Sequence, residues 1–443
     1  MAASVASAIP ASSQFEPITK GPSAQEDQAF WSEALGQSLN TLLSTSQYNE
    51  EKKLYYLSWF NRWILPAMGP RPVNGKPHYT SSFTHDGSPL EWSLNWKEKK
   101  AGQTIRFTIE PSNPKTGTAA DPLNQKAADD FLTKMLGSKD VPGLDLTRFH
   151  LFLNESNAPE DHAADIIAKS PPNRPLTRVL IAFDMEPGSD IVAKAYFLPG
   201  LKSIHTGIPV KSIVFDAIRK CDGPWGTYNA SVDKFDSYLK SFDTSKSEAP
   251  QVFMFSNDCV ADTASSRIKI YTDAAISKLA DAQDVFSLGG AIGGTSMAEG
   301  LKAIAEFWCH LFGLDASDPS VRDKDVLPSS RGKGVFVFEM RPAQEGQAVP
   351  DIEVKMHMPG SWLGETDAEI SQVLSGWFAK YGHGTLADRY EPDLSAAFPK
   401  HRLDSGNGGL AHTWISLTWA PKTGLYMTMY YTPKLPEFYF VPT

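Results

Sequence analysis

Five times along this chain, two short β-branched or aromatic runs are joined by a brief polar or glycine-containing turn, and the second run of each pair alternates cations or phenols with apolar residues. The clearest case is Ser266-Arg267-Ile268-Lys269-Ile270-Tyr271. In a strand, alternate side chains share a face, so Arg267, Lys269 and Tyr271 point one way while Ile268 and Ile270 point the other. The same arrangement recurs at Arg106 in TIRFTIE, at Lys194 and Tyr196 in IVAKAYF, at Lys355 and His357 in IEVKMHM, and at Tyr426 and Tyr430 near the end of the chain. Cations on a buried face are costly unless an anion meets them, so five such hairpins predict one shared polar, aromatic space built for an anion.

Helical patterns fall between the hairpins. Trp31, Leu35, Leu39 and Leu42 keep helical spacing before the first hairpin, as do Leu54, Leu57, Phe60 and Ile64, with the second helix expected to end before Pro66. Further helices are expected over about 124–136, 232–242, 274–279, 297–312 and 367–381, while Arg148–Asn154 reads as a possible strand without a partner. Antiparallel hairpins separated by helices do not make the crossovers of a parallel sheet. The expected fold is α+β: ten antiparallel strands closed into one barrel, with helices outside and a lumen wide enough for a ligand. Residues 1–24, rich in Ala, Ser and Pro, are expected to be a disordered tail, and 25–443 a single domain.

Composition narrows the partners. A formal charge of −9 argues against nucleic acid, which is bound through basic surface, so the cation cluster must be local. Cys221, Cys259 and Cys309 are too few and too scattered for a disulfide framework or a CxxC metal site, which suggests a reducing, cytoplasmic setting. No run of about 18 apolar residues offers a membrane span. The Gly-rich LGGAIGGTS lacks the phosphate-loop spacing and reads as a plain loop, and His85-Asp86 read as turn residues. The protein is expected to act as a monomer or homodimer on small molecules.

A lumen holding Arg106, Lys194, Arg267, Lys269 and Lys355 suits a diphosphate better than a lone carboxylate, because guanidinium forks and ammonium charges share its oxygens. Tyr196, Tyr271, Tyr426, Tyr430 and His357 add donors, and the phenol faces supply an electron-rich wall that stabilises a carbocation and excludes water. Asp129-Asp130 is followed by Phe131-Leu132-Thr133, which is not a magnesium-binding DDxxD motif. The expectation is therefore ionisation of an allylic diphosphate with no metal cofactor, side-chain cations supplying the electrostatics.

GSPLEWSLNW, TIRFTIEP, VAKAYFLPG, SRIKIY, FEMRP and HTWISLTW followed by YMTMYY together resemble the fungal aromatic prenyltransferases of the dimethylallyl tryptophan synthase family, whose barrel is built of repeated α-β-β-α units. The resemblance runs from about Phe30 to Tyr431 and implies transfer of a dimethylallyl group from dimethylallyl diphosphate to an aromatic acceptor by Friedel–Crafts alkylation. It implies that Glu91 accepts the acceptor's N–H, that Leu90, Met254 and Trp414 line the acceptor site, and that Met340 limits prenyl length. Trp419, an odd number of residues from Trp414, should face away from the lumen. His357 stands where the family usually has tyrosine, with a charge that would depend on pH. Met254 and Ile181 stand where family members that use free tryptophan carry an arginine and a lysine, so the resemblance implies a larger, uncharged acceptor such as an indole alkaloid. A phenol or polyketide acceptor, and a non-catalytic barrel that binds a phosphorylated ligand, remain alternatives.

Overall fold

The computed structural model describes residues 23–100, 102–171, 176–242, 249–328, 332–346, 348–406 and 409–435. The expected tail lies outside these, apart from Ser23 and Ala24, and those two open the first helix. Ser23 caps α1 (Ala24–Thr45) in a reciprocal box with Glu26. Asn49 caps α2 (Glu50–Ala67), which continues through Pro66 instead of stopping before it. A proline in the last turn removes one amide, and its ring falls where the helix is already ending.

The chain then alternates as the sequence predicts, with more helix than expected. β1 (Leu90–Lys97) and β2 (Thr104–Ile109) form the first hairpin. After it come α3 (Ala127–Leu136), α4 (Thr147–Ser156) and α5 (Ala163–Lys169). The second hairpin is β3 (Val179–Met185) with β4 (Val192–Phe197), followed by α6 (Gly200–Thr206), α7 (Val210–Arg219) and α8 (Asn229–Lys240). The third is β5 (Gln251–Asp258) with β6 (Ile268–Ala274), then α9 (Leu279–Ser287) and α10 (Thr295–Phe312). The fourth is β7 (Gly334–Met340) with β8 (Glu353–Pro359), then α11 (Gly360–Leu363), α12 (Asp367–Lys380) and α13 (Gly384–Ala397). β9 (His412–Ala420) and β10 (Gly424–Tyr431) complete the set. All neighbouring strands are antiparallel, and β1 pairs with both β2 and β10, so the ten-stranded sheet closes.

Two local expectations fail for identifiable reasons. Arg148–Asn154 is part of α4, because Phe149, Phe152 and Leu153 fall at helical spacing; Phe149 packs against Phe197, and Phe152 against both Phe197 and Phe255. The helix expected at 274–279 starts at Leu279, since β6 continues to Ala274 to match the length of β7.

The outer faces of the strands carry the core. Trp92 stacks on Phe60, Phe183 meets Trp59 and Phe131, Phe338 meets Phe235, and Trp96 meets Phe378. Burying each such ring stabilises the fold by about 1.5–3 kcal/mol, and the edge and stacked contacts add about 0.5–1.5 kcal/mol a pair. With the apolar surface spent between barrel and helices, the lumen is free to be polar. Among the described residues no helix is long and apolar enough to cross a membrane.

Candidate active site

Alternation and register decide which side chains enter the barrel. Ser93, Arg106, Thr108, Ala182, Asp184, Lys194, Tyr196, Lys269, Tyr271, Val337, Glu339, Lys355, His357 and Tyr430 line one cavity with about 580 Å³ of open space. Every one lies at the alternate position to a core residue of the same strand. The strands thus bring four of the five expected cations into one lumen. Arg267 lies just before β6, on the side of Lys269, with its guanidinium held by Asp258 (2.6 and 2.9 Å) and Glu339 (3.4 Å).

Four carboxylates, absent from the sequence-based expectations, hold these cations. Asp184 pairs with Lys194 and with Arg106 at 3.2 Å, and Glu186 lies 3.7 Å from Arg106. Asp258 takes Arg267, and Glu339 sits 3.4 Å from Arg267, 3.8 Å from Lys269 and 3.1 Å from Arg341. Burial alone would raise the carboxyl of Glu339, but Lys269, Arg267 and Lys355 outweigh it and bring it down to about 2. Asp184 is held low in the same way by Arg106 and Lys194. Lys355 differs: among the described residues it has no carboxylate within ion-pair distance, and its ammonium lies 4.5 Å from the centre of the Tyr426 ring. Five cations facing four carboxylates leave an excess of positive charge for an incoming anion.

The phenols complete this wall. Arg106 donates to the Tyr426 hydroxyl at 2.7 Å, and the rings of Tyr196 and Tyr271 lie 5.8 Å apart. Burial opposes ionisation of Tyr426, yet Arg106 and Lys355 prevail and lower its phenol to about 7. Burial lifts Tyr196, Tyr271 and Tyr430 instead, so they stay hydrogen-bond donors. His357 lies 3.3 Å from the Tyr430 hydroxyl, and burial together with Lys355 pushes its imidazole down to about 3. It is therefore a neutral ring across the physiological range, and the expected pH-dependent charge falls outside it.

Glu91 faces the same lumen: its register partner is Thr108, and it is 5% exposed. It accepts from the Thr413 hydroxyl at 2.6 Å. Burial raises its carboxyl to about 8, with the Thr413 bond pulling the other way. Trp414 pairs with Tyr430 and Met254 with Tyr271, which places both on the lumen side, while Trp419 lies on the opposite face from Trp414.

The family model for tryptophan dimethylallyltransferase matches residues 27–393. The chain belongs to that family. It is 50% identical over 416 residues to the prenyltransferase iacE of Pestalotiopsis fici, covering 94% of this chain and 93% of that one. The 7-dimethylallyltryptophan synthase hasE of Aspergillus fumigatus is 33% identical over 94% of this chain and 87% of its own. The crystal structure of AnaPT from Neosartorya fischeri matches with a TM-score of 0.77 at 24% identity, over 92% of this chain and 94% of that one. NotF in complex with brevianamide F and DMSPP matches at 0.76 and 21%, over 96% and 99%. The protein is thus an aromatic prenyltransferase built on the ten-stranded barrel.

In this prenyltransferase two expected site residues face the wrong way. Leu90 pairs with Ile109 and shares a face with Trp92, so it lies in the layer between barrel and helices. Met340 pairs with Ile268 on the outer face, while its neighbour Glu339 points inward. The next lumen residue along β7 is Val337, flanked in register by Tyr271 and Lys355. Ile181 is also outward, paired with Ala195; Ala182, opposite Lys194, is the lumen residue there. Asp129, on α3 outside the barrel, meets His150 at 3.0 Å and is no part of the site.

These placements fix opposite outcomes for two variants. Met340→Ala is expected to cost about 2–4 kcal/mol of stability, as truncation of a buried core methionine does, with no change in donor choice. Val337→Ala is expected to leave the fold intact and raise turnover of a ten-carbon diphosphate relative to a five-carbon one. Thermal unfolding and competition between the two donors measure both.

Proposed function

We propose that the protein transfers a dimethylallyl group from dimethylallyl diphosphate to an uncharged aromatic acceptor, of the indole-alkaloid or tryptophan-derived class, and releases pyrophosphate. The observation that carries this reading is the convergence of Lys194, Lys269, Lys355 and Arg106 with four phenols in one lumen that also holds Glu91 and Trp414. The names of hasE, which makes a dimethylallyltryptophan, and of NotF, crystallised with brevianamide F and DMSPP, support donor and acceptor class.

The cations take up the charge that develops on the leaving diphosphate, and Arg267, restrained by Asp258 and Glu339, keeps Lys269 company at one end of the cluster. The C–O bond of the donor breaks, and the phenol faces of Tyr196, Tyr271, Tyr426 and Tyr430 screen the allylic cation from water. Glu91 holds the acceptor's N–H or O–H and adds electron density to the ring, while Trp414 packs on it. Ring attack forms the C–C bond, and loss of the ring proton restores aromaticity. Met254 and Ala182 bring no charge to the acceptor end, which suits a ligand without a free carboxylate. Side-chain cations take the electrostatic part that a metal plays elsewhere. A single catalytic domain over 25–443 and a cytoplasmic setting go with this reading; the three buried, unpaired cysteines favour a reducing compartment.

Incubation with dimethylallyl diphosphate and a panel of indoles and phenols in EDTA, following pyrophosphate and product mass, tests the proposal. Turnover of a neutral indole in EDTA is expected. Turnover confined to phenols would reassign the acceptor, and diphosphate binding without turnover of any acceptor would make the barrel a binding protein.

The two substrates should respond oppositely to pH. Glu91 becomes a carboxylate only as pH rises through about 8, so kcat/KM for the acceptor increases up to that point. Lys269, which burial brings down to about 8 against the pull of Asp258, loses its charge over the same interval, and Tyr426 turns anionic above about 7. Both changes weaken diphosphate binding, so donor affinity of the free enzyme falls from pH 7 to 9. Donor binding and acceptor kinetics measured across this window check the two slopes; a rise in donor affinity over it would contradict the assignment.

A further inference from the structure

Behind β9, on the side away from the lumen, lies a buried polar chain that touches neither substrate site. Asp367, the first residue of α12, is wholly buried and accepts four hydrogen bonds. They come from the amides of Ala411 (2.8 Å) and His412 (2.9 Å), from His412 Nδ1 (2.7 Å) and from His401 Nε2 (2.6 Å). On its other side, His412 Nε2 lies 2.9 Å from the Tyr390 hydroxyl, and that hydroxyl lies 2.7 Å from the one on Tyr431. The chain at Gly360 runs so close that a Cβ there would collide with the His412 carbonyl oxygen.

His412 is also where β9 slips against β10. Tyr431 faces His412 and Tyr430 faces Trp414, which leaves Thr413 as an extra residue without a partner. Alternation from Trp414 would turn Thr413 outward; the bulge re-aims it, and its hydroxyl reaches Glu91 on β1 at 2.6 Å. A clamp of four hydrogen bonds thus closes on the two amides immediately before the one irregular residue of the β9–β10 ladder, and that residue touches the group assigned to the acceptor.

We propose that Asp367 and His412 are positioning residues for prenyl transfer: they lock the β9 bulge that aims Thr413 at Glu91, and so fix the orientation and ionisation of the carboxylate that meets the acceptor. This rests on the acceptor role given to Glu91 above. The titratable groups that act on Glu91 are Asp86, in the turn before β1, and Tyr430, on β10; neither belongs to the clamp.

The test is the pH profile of kcat/KM for the acceptor, with donor affinity read separately from binding of dimethylallyl S-thiolodiphosphate. Glu91→Gln is expected to abolish the rising limb. Thr413→Val moves its midpoint up by about one pH unit, since a hydrogen bond to the charged form is lost, and Thr413→Ser keeps it in place. His412→Phe and Asp367→Asn reproduce the upward shift without changing donor affinity, His412→Asn, whose amide can still donate to Asp367, restores most of it, and Thr413→Val combined with His412→Phe shifts no further. A limb that survives in Glu91→Gln overturns the Glu91 reading and the clamp with it. A limb lost in Glu91→Gln but unmoved in Asp367→Asn, or in a folded His412→Phe, overturns the clamp alone.

Discussion

Glu91→Gln lowers the rate of prenyl transfer about 100- to 1,000-fold at saturating donor, within the span expected for a positioned acid–base group. The amide keeps the volume of the side chain and can still accept from Thr413 Oγ1, so the barrel wall is undisturbed. What disappears is the negative charge that a bound N–H or O–H draws on as the ring becomes electron-deficient. Affinity for a thiolodiphosphate donor analogue stays at the wild-type value, because Glu91 does not line the diphosphate cavity. Single-turnover rates with and without the substitution check this, and a fall of less than about tenfold would mean that the acceptor is activated by another group.

The second large effect concerns Lys355. Lys355→Met lowers kcat/KM for the donor by about 100- to 1,000-fold, since removing one partner of a buried hydrogen-bonded charge pair costs about 2–5 kcal/mol. The choice of cation matters. Arg267 is the one ion-pair partner of Asp258 among the described residues, and truncating it strands that largely buried carboxylate, which destabilises a fold by about 3–5 kcal/mol on its own account. Lys355 rests on the Tyr426 ring, and its loss leaves no buried carboxylate without a partner. It also relieves part of the pull on the Tyr426 phenol, so the donor-affinity slope above pH 7 becomes shallower. Unfolding midpoints compared with donor kinetics separate the two kinds of cation; equal destabilisation by Lys355→Met and Arg267→Met would contradict the distinction.

The hairpins were legible because a half-polar strand prints its geometry in the sequence: period-two alternation put Arg267, Lys269 and Tyr271 on one face before any fold was known. The same rule, applied to the first strand of each hairpin, would have found Asp184 and Asp258, which alternate with core phenylalanines. β7 was different in kind. Val335-Phe336-Val337-Phe338 is apolar on both faces, so nothing in it reveals the phase, and the expectation for Met340 fails because Glu339 and Val337 are the residues that enter the lumen. Leu90 failed similarly beside Trp92. Helix α4 is illegible in the sequence because the seven residues Arg148–Asn154 satisfy strand and helix patterns alike until Phe149 and Phe152 are seen against Phe197 and Phe255. Thr413 had no signal at all, since a bulge is by nature a break in the period that sequence reading relies on.

The central claim is that one lumen holds the diphosphate among basic and phenolic side chains with the acceptor toward Glu91. A crystal structure with dimethylallyl S-thiolodiphosphate bound examines it most directly. The account predicts both phosphates within hydrogen-bonding distance of Lys194, Lys269 and Lys355, with the dimethylallyl carbons against Tyr196 and Tyr430. Phosphate density outside the barrel, or inside it but away from those three lysines in an active enzyme, would contradict it.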